Sequence, residues 1–317
     1  MQFRAFAIAM PIRFRGVGRR EGMLVRGDAG WGEFSPFREY TAAECVPWLD
    51  AALDSANRPW PDAVRDFVPV NCTVPAVGPE DAARIVARSG CTTAKVKVAE
   101  PGQVLFDDVA RLEAVRDALG PQGRIRIDAN GAWSVDDAVV AITTLDAAAG
   151  GLEYAEQPCA TVEELAAARR RLDVPIAADE SIRRSADPML IKEAEAADIA
   201  VLKVQPLGGV HACLQLAADL DMPVVVSSAI ETSVGLAAGV ALAAALPELP
   251  YACGLGTHAL LADDVTDNPL VPVDGHLPVR RVDVDDAVWE RVAADDETES
   301  QWHGRLAAVQ GIRGRGR

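Results

Sequence analysis

Five short apolar runs in the middle of the chain each end in residues that can hold charge or move a proton. They carry Lys95-Val96-Lys97, Asp128-Ala129-Asn130, Glu156-Gln157-Pro158, Asp179-Glu180-Ser181 and, in Val201-Leu202-Lys203-Val204, Lys203. A sixth run ends in Ser227-Ser228. A charge inside an apolar strand is costly unless it is paired or bound to a metal. One such charge is ordinarily an edge residue, whereas five at the same end of successive runs point to a site. Strand side chains alternate, so Lys95 and Lys97 share a face, as do Asp128 and Asn130. The same alternation favours Asp179 over Glu180, with Ser181 continuing the Asp179 face. If these faces turn inward, Asp128, Glu156 and Asp179 converge as an all-oxygen carboxylate set, which suits Mg2+, with Mn2+ as the alternative, rather than zinc. The four histidines do not alter this: His211 opens a helix, and His258, His276 and His303 are expected in loop or tail contexts at the surface.

Lys97 precedes the carboxylates in strand order and Lys203 follows them. Facing each other across a barrel, the two could address a substrate carbon bound at the metal. A lysine base must be partly neutral, and Lys95 together with a divalent cation would lower the pKa of Lys97. Taken singly, either lysine has a salt bridge to a metal-site carboxylate as its alternative reading. Taken together, the set asks for proton abstraction beside a carboxylate, with the resulting enediolate stabilised by the metal.

These residues need a scaffold that brings strand ends together. Val/Ile-rich runs at 68–74, 93–98, 124–128, 151–156, 176–179, 199–204, 224–227 and 251–254 alternate with helical stretches at 79–89, 104–119, 134–147, 162–172, 189–196, 210–220 and 233–246. Pro79, Glu80 and Asp81 stand where a first helical turn accepts them. This rhythm is that of an α/β chain folded as a (β/α)8-type barrel, with chemistry at the carboxyl ends of its strands. A doubly wound open sheet is the alternative, but no glycine-rich fingerprint follows the first strand. Residues 66–264 are assigned to the barrel. Residues 1–65 read as an α+β capping domain, with alternation over Phe3–Ile8, a hairpin at Gly27-Asp28-Ala29-Gly30 and a helix from about Thr41; residues 265–317 contribute, with a turn at Asp274-Gly275. The Gly/Arg tail Arg313–Arg317 is expected to fray.

Lys plus Arg number 31 against 47 Asp plus Glu, a net charge of −16 in 317 residues. That excludes the basic stripe of a nucleic-acid binder. Arg4, Arg13 and Arg15 interrupt any signal-peptide core, and the longest apolar run, Val234–Leu246, has about 13 residues, too few to span a bilayer. The six cysteines, Cys45, Cys72, Cys91, Cys159, Cys213 and Cys253, are scattered and read as reduced thiols. A cytoplasmic protein acting on a small molecule is expected, without membrane or nucleic-acid partners; the sequence carries no signal for an oligomeric state.

As an ordered set the motifs resemble the enolase superfamily in its muconate-lactonizing-enzyme subgroup, and Gly30-Trp31-Gly32-Glu33-Phe34-Ser35-Pro36 is similar to the capping domain of that family. Within the subgroup, Arg20-Glu21-Gly22, Val226–Gly235 and Gly254-Leu255-Gly256-Thr257 resemble the o-succinylbenzoate synthase family of menaquinone biosynthesis. The resemblance implies a hydro-lyase that dehydrates 2-succinyl-6-hydroxy-2,4-cyclohexadiene-1-carboxylate to 2-succinylbenzoate. It implies Lys97 as the base, which then returns a proton to the departing hydroxide, and Lys203 as a cation beside the enediolate. It places Asp128, Glu156 and Asp179 on the metal, Ser227, Ile230 and Gly254 around the succinyl group, and Lys95 and Asn130 among the substrate-binding residues. The hydroxyl and backbone N–H of Ser227 are the expected donors to the succinyl carboxylate.

Two features depart from the family pattern or leave it open. The strand-eight segment lacks the paired aspartates of a dipeptide epimerase. Only about ten residues separate Met10 from Arg20, so the loop covering the pocket is expected to be reduced. An N-succinylamino acid racemase or a muconate-type cycloisomerase would carry the same motifs. A Schiff-base lyase would use Lys203 without needing three carboxylates, and a non-enzymatic barrel binding protein would not need to keep every ligand and lysine.

Overall fold

The computed structural model describes residues 2–14, 16–185 and 187–315. Strands β1 (Phe3–Phe14), β2 (Val17–Gly27) and β3 (Gly30–Phe34) form an antiparallel sheet in that order. The β1–β2 ladder runs from Phe3↔Val25 to Ala9↔Arg19 and resumes at Phe14↔Val17 after a register shift. The segment expected as a reduced covering loop is therefore a hairpin. Helix α1 (Val46–Asn57), which starts later than the expected Thr41, lies against β3. Their approach depends on Gly32, where a Cβ would run into the Ala52 carbonyl oxygen.

The alternating core follows: β4 (Phe67–Val74), α2 (Pro79–Ser89), β5 (Thr93–Lys97), α3 (Leu105–Leu119), β6 (Arg124–Asp128), α4 (Val135–Ala149), β7 (Tyr154–Glu156), α5 (Val162–Arg169), β8 (Ile176–Ala178), α6 (Glu180–Arg183), α7 (Leu190–Glu193), β9 (Ile199–Leu202), α8 (Val210–Leu220), β10 (Val224–Val226), α9 (Ser233–Ala245) and β11 (Cys253–Gly256). The strands pair in the order β10-β9-β8-β7-β6-β5-β4-β11, and each of these pairs is parallel. A parallel bridge, Ser227↔Gly254, joins the two ends, so the sheet closes into a barrel. Ala177, Ile199, Val201 and Val225 pack with Tyr154 in one small cluster, while the larger core lies between strands and helices.

The chain then returns to the cap. Strand β12 (His276–Pro278) pairs antiparallel with the start of β4, after a turn at Asp274 (φ 49°) and Gly275 (φ 72°) that suits a two-residue hairpin. Helices α10 (Asp286–Val292) and α11 (Asp296–Arg313) follow, and the Ala294 N–H donates to the Ala5 carbonyl at 3.0 Å. Trp302 on α11 meets Phe34 edge-on at 6.0 Å. His303 is thus helical rather than in a loop, and Arg313 ends α11 with its guanidinium on Asp50, 2.5 Å away, rather than fraying. The last two tail residues, Gly316 and Arg317, lie outside the described residues.

One strand end differs from the expectation in a way that touches the site. β8 stops at Ala178, and Asp179 (φ −115°, ψ −75°) starts the one-turn helix α6, its carbonyl accepting from the N–H groups of Ile182 and Arg183 at 3.0 Å. Ser181 therefore does not continue the Asp179 face of a strand. The cause is Gln157, whose Oε1 accepts from the N–H groups of both Asp179 (2.9 Å) and Ser181 (3.1 Å), wrapping the chain around its amide.

Candidate active site at the carboxyl ends of the barrel strands

The ladder places the site residues side by side: Lys97 is level with Asp128 across β5–β6, and Asp128 with Glu156 across β6–β7. Asp179 follows β8 and Lys203 follows β9. All five side chains are buried. Lys97 and Lys203 stand four strands apart in an eight-stranded ring, on opposite walls, and both line one narrow well of about 30 Å3. The carboxylates and ammoniums interleave. Lys97 Nζ lies 2.7 Å from Asp128 Oδ2 and also meets Asn130 Oδ1; Lys95 Nζ lies 3.1 Å from Asp128 Oδ2 and 2.8 Å from Glu156 Oε1. Lys203 Nζ is 2.7 Å from Asp179 Oδ2, whose other oxygen accepts from Arg183 Nε at 2.9 Å.

Burial and charge set the protonation states. Burial works against ionisation of Asp128, but Lys97 and Lys95 overcome it and hold its carboxyl well below the usual range. Asp179 is likewise held low against burial by Arg183 and Lys203. Glu156 is pushed up to about 7, first by burial and then by the neighbouring Asp128. Burial alone would lower Lys95, yet Glu156 and Asp128 raise it, so it stays an ammonium. Among the described residues no three acidic, histidine or cysteine side chains stand in ligating geometry, because the ammoniums lie between the carboxylates. The donor set nonetheless suits a hard cation: it is all carboxylate oxygen, and Glu156 Oε2 is buried without a hydrogen-bond partner.

Ser227, Ile230 and Gly254 line the same well as Lys95, Lys97, Asp128, Asn130 and Lys203. The Ser227 N–H, however, is committed to the Leu202 carbonyl at 2.9 Å, which leaves only the hydroxyl, 3.4 Å from the Gly254 oxygen, as a donor. Sequence reasoning missed Phe37 and Thr73, which also line the well together with Ser228, Ala229 and Thr257, members of the sequence motifs without an assigned role. Phe37 directly follows the cap motif ending at Pro36, a signal that was present; Thr73 carries none. Lys97 and Asn130 are shared with a larger cavity of about 690 Å3 that reaches Ile12 and Gly16 of the β1–β2 hairpin. That volume is in the range of small-molecule sites.

An enolase N-terminal domain-like model matches residues 5–56 and an enolase C-terminal domain-like model matches residues 79–282. The chain is 66% identical over 310 residues to the o-succinylbenzoate synthase of Thermobifida fusca (strain YX), covering 98% of this chain and 96% of that protein. The chain belongs to the o-succinylbenzoate synthase family of the enolase superfamily. The o-succinylbenzoate synthase of Mycolicibacterium smegmatis is 55% identical, with 96% and 94% of the two chains covered. Solved structures share the fold. The L-Ala-D/L-Glu epimerase of Bacillus subtilis superposes with a TM-score of 0.75 at 22% identity over 89% of this chain and 96% of that one. Muconate lactonizing enzyme from Pseudomonas putida gives 0.74 at 20% identity over 92% and 99%. Membership in the o-succinylbenzoate synthase family makes the chain an enzyme acting on a small molecule with a divalent metal ion. Among the described residues no helix is long and apolar enough to cross a membrane.

Proposed function

We propose that the chain dehydrates 2-succinyl-6-hydroxy-2,4-cyclohexadiene-1-carboxylate to 2-succinylbenzoate in menaquinone biosynthesis, in the cytoplasm. The observation that carries the site assignment is the placement of Lys97 and Lys203 on opposite walls of one well, with Asp128, Glu156 and Asp179 between them along the strand order. Asp128, Glu156 and Asp179 would hold Mg2+, which supplies Lewis-acid charge for the substrate carboxylate. Lys97, as the neutral amine, takes the proton from the ring carbon that bears the carboxylate. The ring carbon–oxygen bond then breaks, and the proton on Lys97 passes to the departing hydroxide to give water, while the ring becomes aromatic. Lys203 stays an ammonium and offsets the negative charge that builds on the carboxylate oxygens. Asn130, whose Oδ1 accepts from Lys97 Nζ, orients that side chain, and Lys95 keeps positive charge beside Asp128 and Glu156. The hydroxyl of Ser227, with Ile230 and Gly254, forms the wall assigned to the succinyl group.

Turnover of the cyclohexadiene substrate, followed by the ultraviolet absorbance of the aromatic product, tests this reading. Activity should disappear with EDTA and return with Mg2+; a chelated enzyme at full rate, or no turnover with Mg2+ present, would defeat it. The opposed lysines also favour a second reaction, racemisation of N-succinylamino acids. Exchange of the α-proton from both enantiomers in D2O would support it, and its absence would remove it.

A further inference from the structure

Ile230 is a β-branched residue held at φ 63°, a backbone conformation that such side chains adopt only under constraint. The constraint comes largely from the cap. Arg20, on β2, is almost fully buried and donates from Nε to the Ile230 carbonyl at 2.9 Å and from Nη2 to the Ala229 carbonyl at 3.2 Å. The guanidinium is itself fixed: Nη1 reaches the Glu21 carbonyl at 3.0 Å, Nη2 meets the Ser35 carbonyl and its Oγ (3.0 Å), and the head lies 4.6 Å from the centroid of the Phe37 ring. Ser35 in turn exchanges hydrogen bonds with Gln205, two residues beyond Lys203. On the barrel side, Glu231 Oε2 accepts from the Ser228 hydroxyl (2.6 Å) and the Ala229 N–H (2.7 Å), and the Ile230 N–H donates to Ser228 Oγ at 2.8 Å. Ser228, Ala229, Ile230 and Phe37 all line the well.

We infer that Arg20 is a positioning residue for substrate recognition: from the cap it sets the strained Ala229–Ile230 turn that forms one wall of the substrate pocket. This rests on the proposed function for the identity of the ligand, but not for the mechanics of the turn. A guanidinium bridges two carbonyls and stacks on a ring at once, whereas an ammonium cannot. Arg20→Lys should therefore raise KM for the cyclohexadiene substrate and weaken binding of 2-succinylbenzoate by about tenfold, as expected for losing charged hydrogen bonds. Its kcat should stay within about threefold of wild type, because Lys97 and Lys203 keep their own partners. Arg20→Met should show a larger change in the same direction.

Hydrogen exchange read by mass spectrometry gives a readout independent of any substrate. The peptide spanning residues 228–232 should exchange faster in Arg20→Lys, while those covering β5 to β7 should not. Wild-type KM, product affinity and exchange in a folded Arg20→Lys enzyme would overturn the inference, as would a fall in kcat with KM unchanged. If Arg20→Met does not fold, Arg20→Lys still decides. If wild type proves inert towards the cyclohexadiene, the proposed function falls, and the exchange experiment still tests Arg20.

Discussion

Glu33 offers a test of the cap–barrel junction whose size follows from the structure. It sits near the end of β3, buried, with Oε1 accepting from Ser35 Oγ at 2.6 Å. Its Oε2 accepts from the Thr232 hydroxyl at 2.5 Å and from the N–H groups of Thr232 and Gly235 at 3.1 Å, at the start of α9. Burial, and then the nearby Glu231, raise its pKa from 4.5 to about 7. Because the folded value exceeds the unfolded one, the folded protein binds the extra proton. The associated stability is full below pH 4.5 and is lost as pH rises through 7. The shift corresponds to about 3 kcal/mol, most of which falls between pH 5 and pH 8. Glu33→Gln keeps a neutral carbonyl towards Thr232 and Gly235 and offers an N–H to Ser35, so it should remove this dependence. In urea unfolding at pH 5 and pH 8, wild type should lose about 2–3 kcal/mol relative to Glu33→Gln on going to the higher pH. A difference between the two proteins that stays constant across that range would show Glu33 ionised throughout and refute the reasoning.

Three further outcomes follow from the site. Ser227→Ala should raise KM more than it lowers kcat, since the lost hydroxyl contact is made in ground and transition state alike; an unchanged KM would move the succinyl pocket elsewhere. Gly254→Ala should have a similar effect in steady-state kinetics, because its Cβ would stand 2.5 Å from Ser227 Oγ and displace it. Asp179→Asn should weaken Mg2+ binding in calorimetry by about tenfold or more, while Glu180→Gln should leave it nearly unchanged; the reverse would put the ligand one residue later.

The barrel was legible because its short strands are apolar up to a common polar end, so that Lys97, Asp128 and Glu156 mark one rim. Arg126 was legible too, on the Asp128 face of Arg124–Asp128, but was not singled out. In the structure it is buried, its Nη1 donating to the Tyr154 hydroxyl at 2.9 Å and to the Ala252 carbonyl at 2.7 Å. The turn at Asp179 escaped periodicity because a single side chain from the preceding strand end, Gln157, holds it. The junction of Arg20, Glu33, Gln205 and Glu231 escaped for a related reason. The hydrogen bonds that cross it from cap to barrel join residues 170 to 210 positions apart, as from Ser35 to Gln205 and from Arg20 to Ile230, and no local pattern encodes such partners. The choice of Asp179 over Glu180 from strand alternation used a premise the fold does not meet. The observation that now supports Asp179 is its contact with Lys203 inside the barrel.

The division of labour between the two lysines is the centre of this account, and one comparison addresses it directly: the dehydration rates of wild type, Lys97→Arg and Lys203→Arg with Mg2+ present. An arginine keeps the positive charge but stays protonated, so it cannot accept the substrate proton. Lys97→Arg should lose activity by about 10²–10⁴-fold or more, the contribution of a general base, while Lys203→Arg should retain measurable dehydration. A Lys97→Arg enzyme that dehydrates as fast as wild type would contradict the assignment of the base.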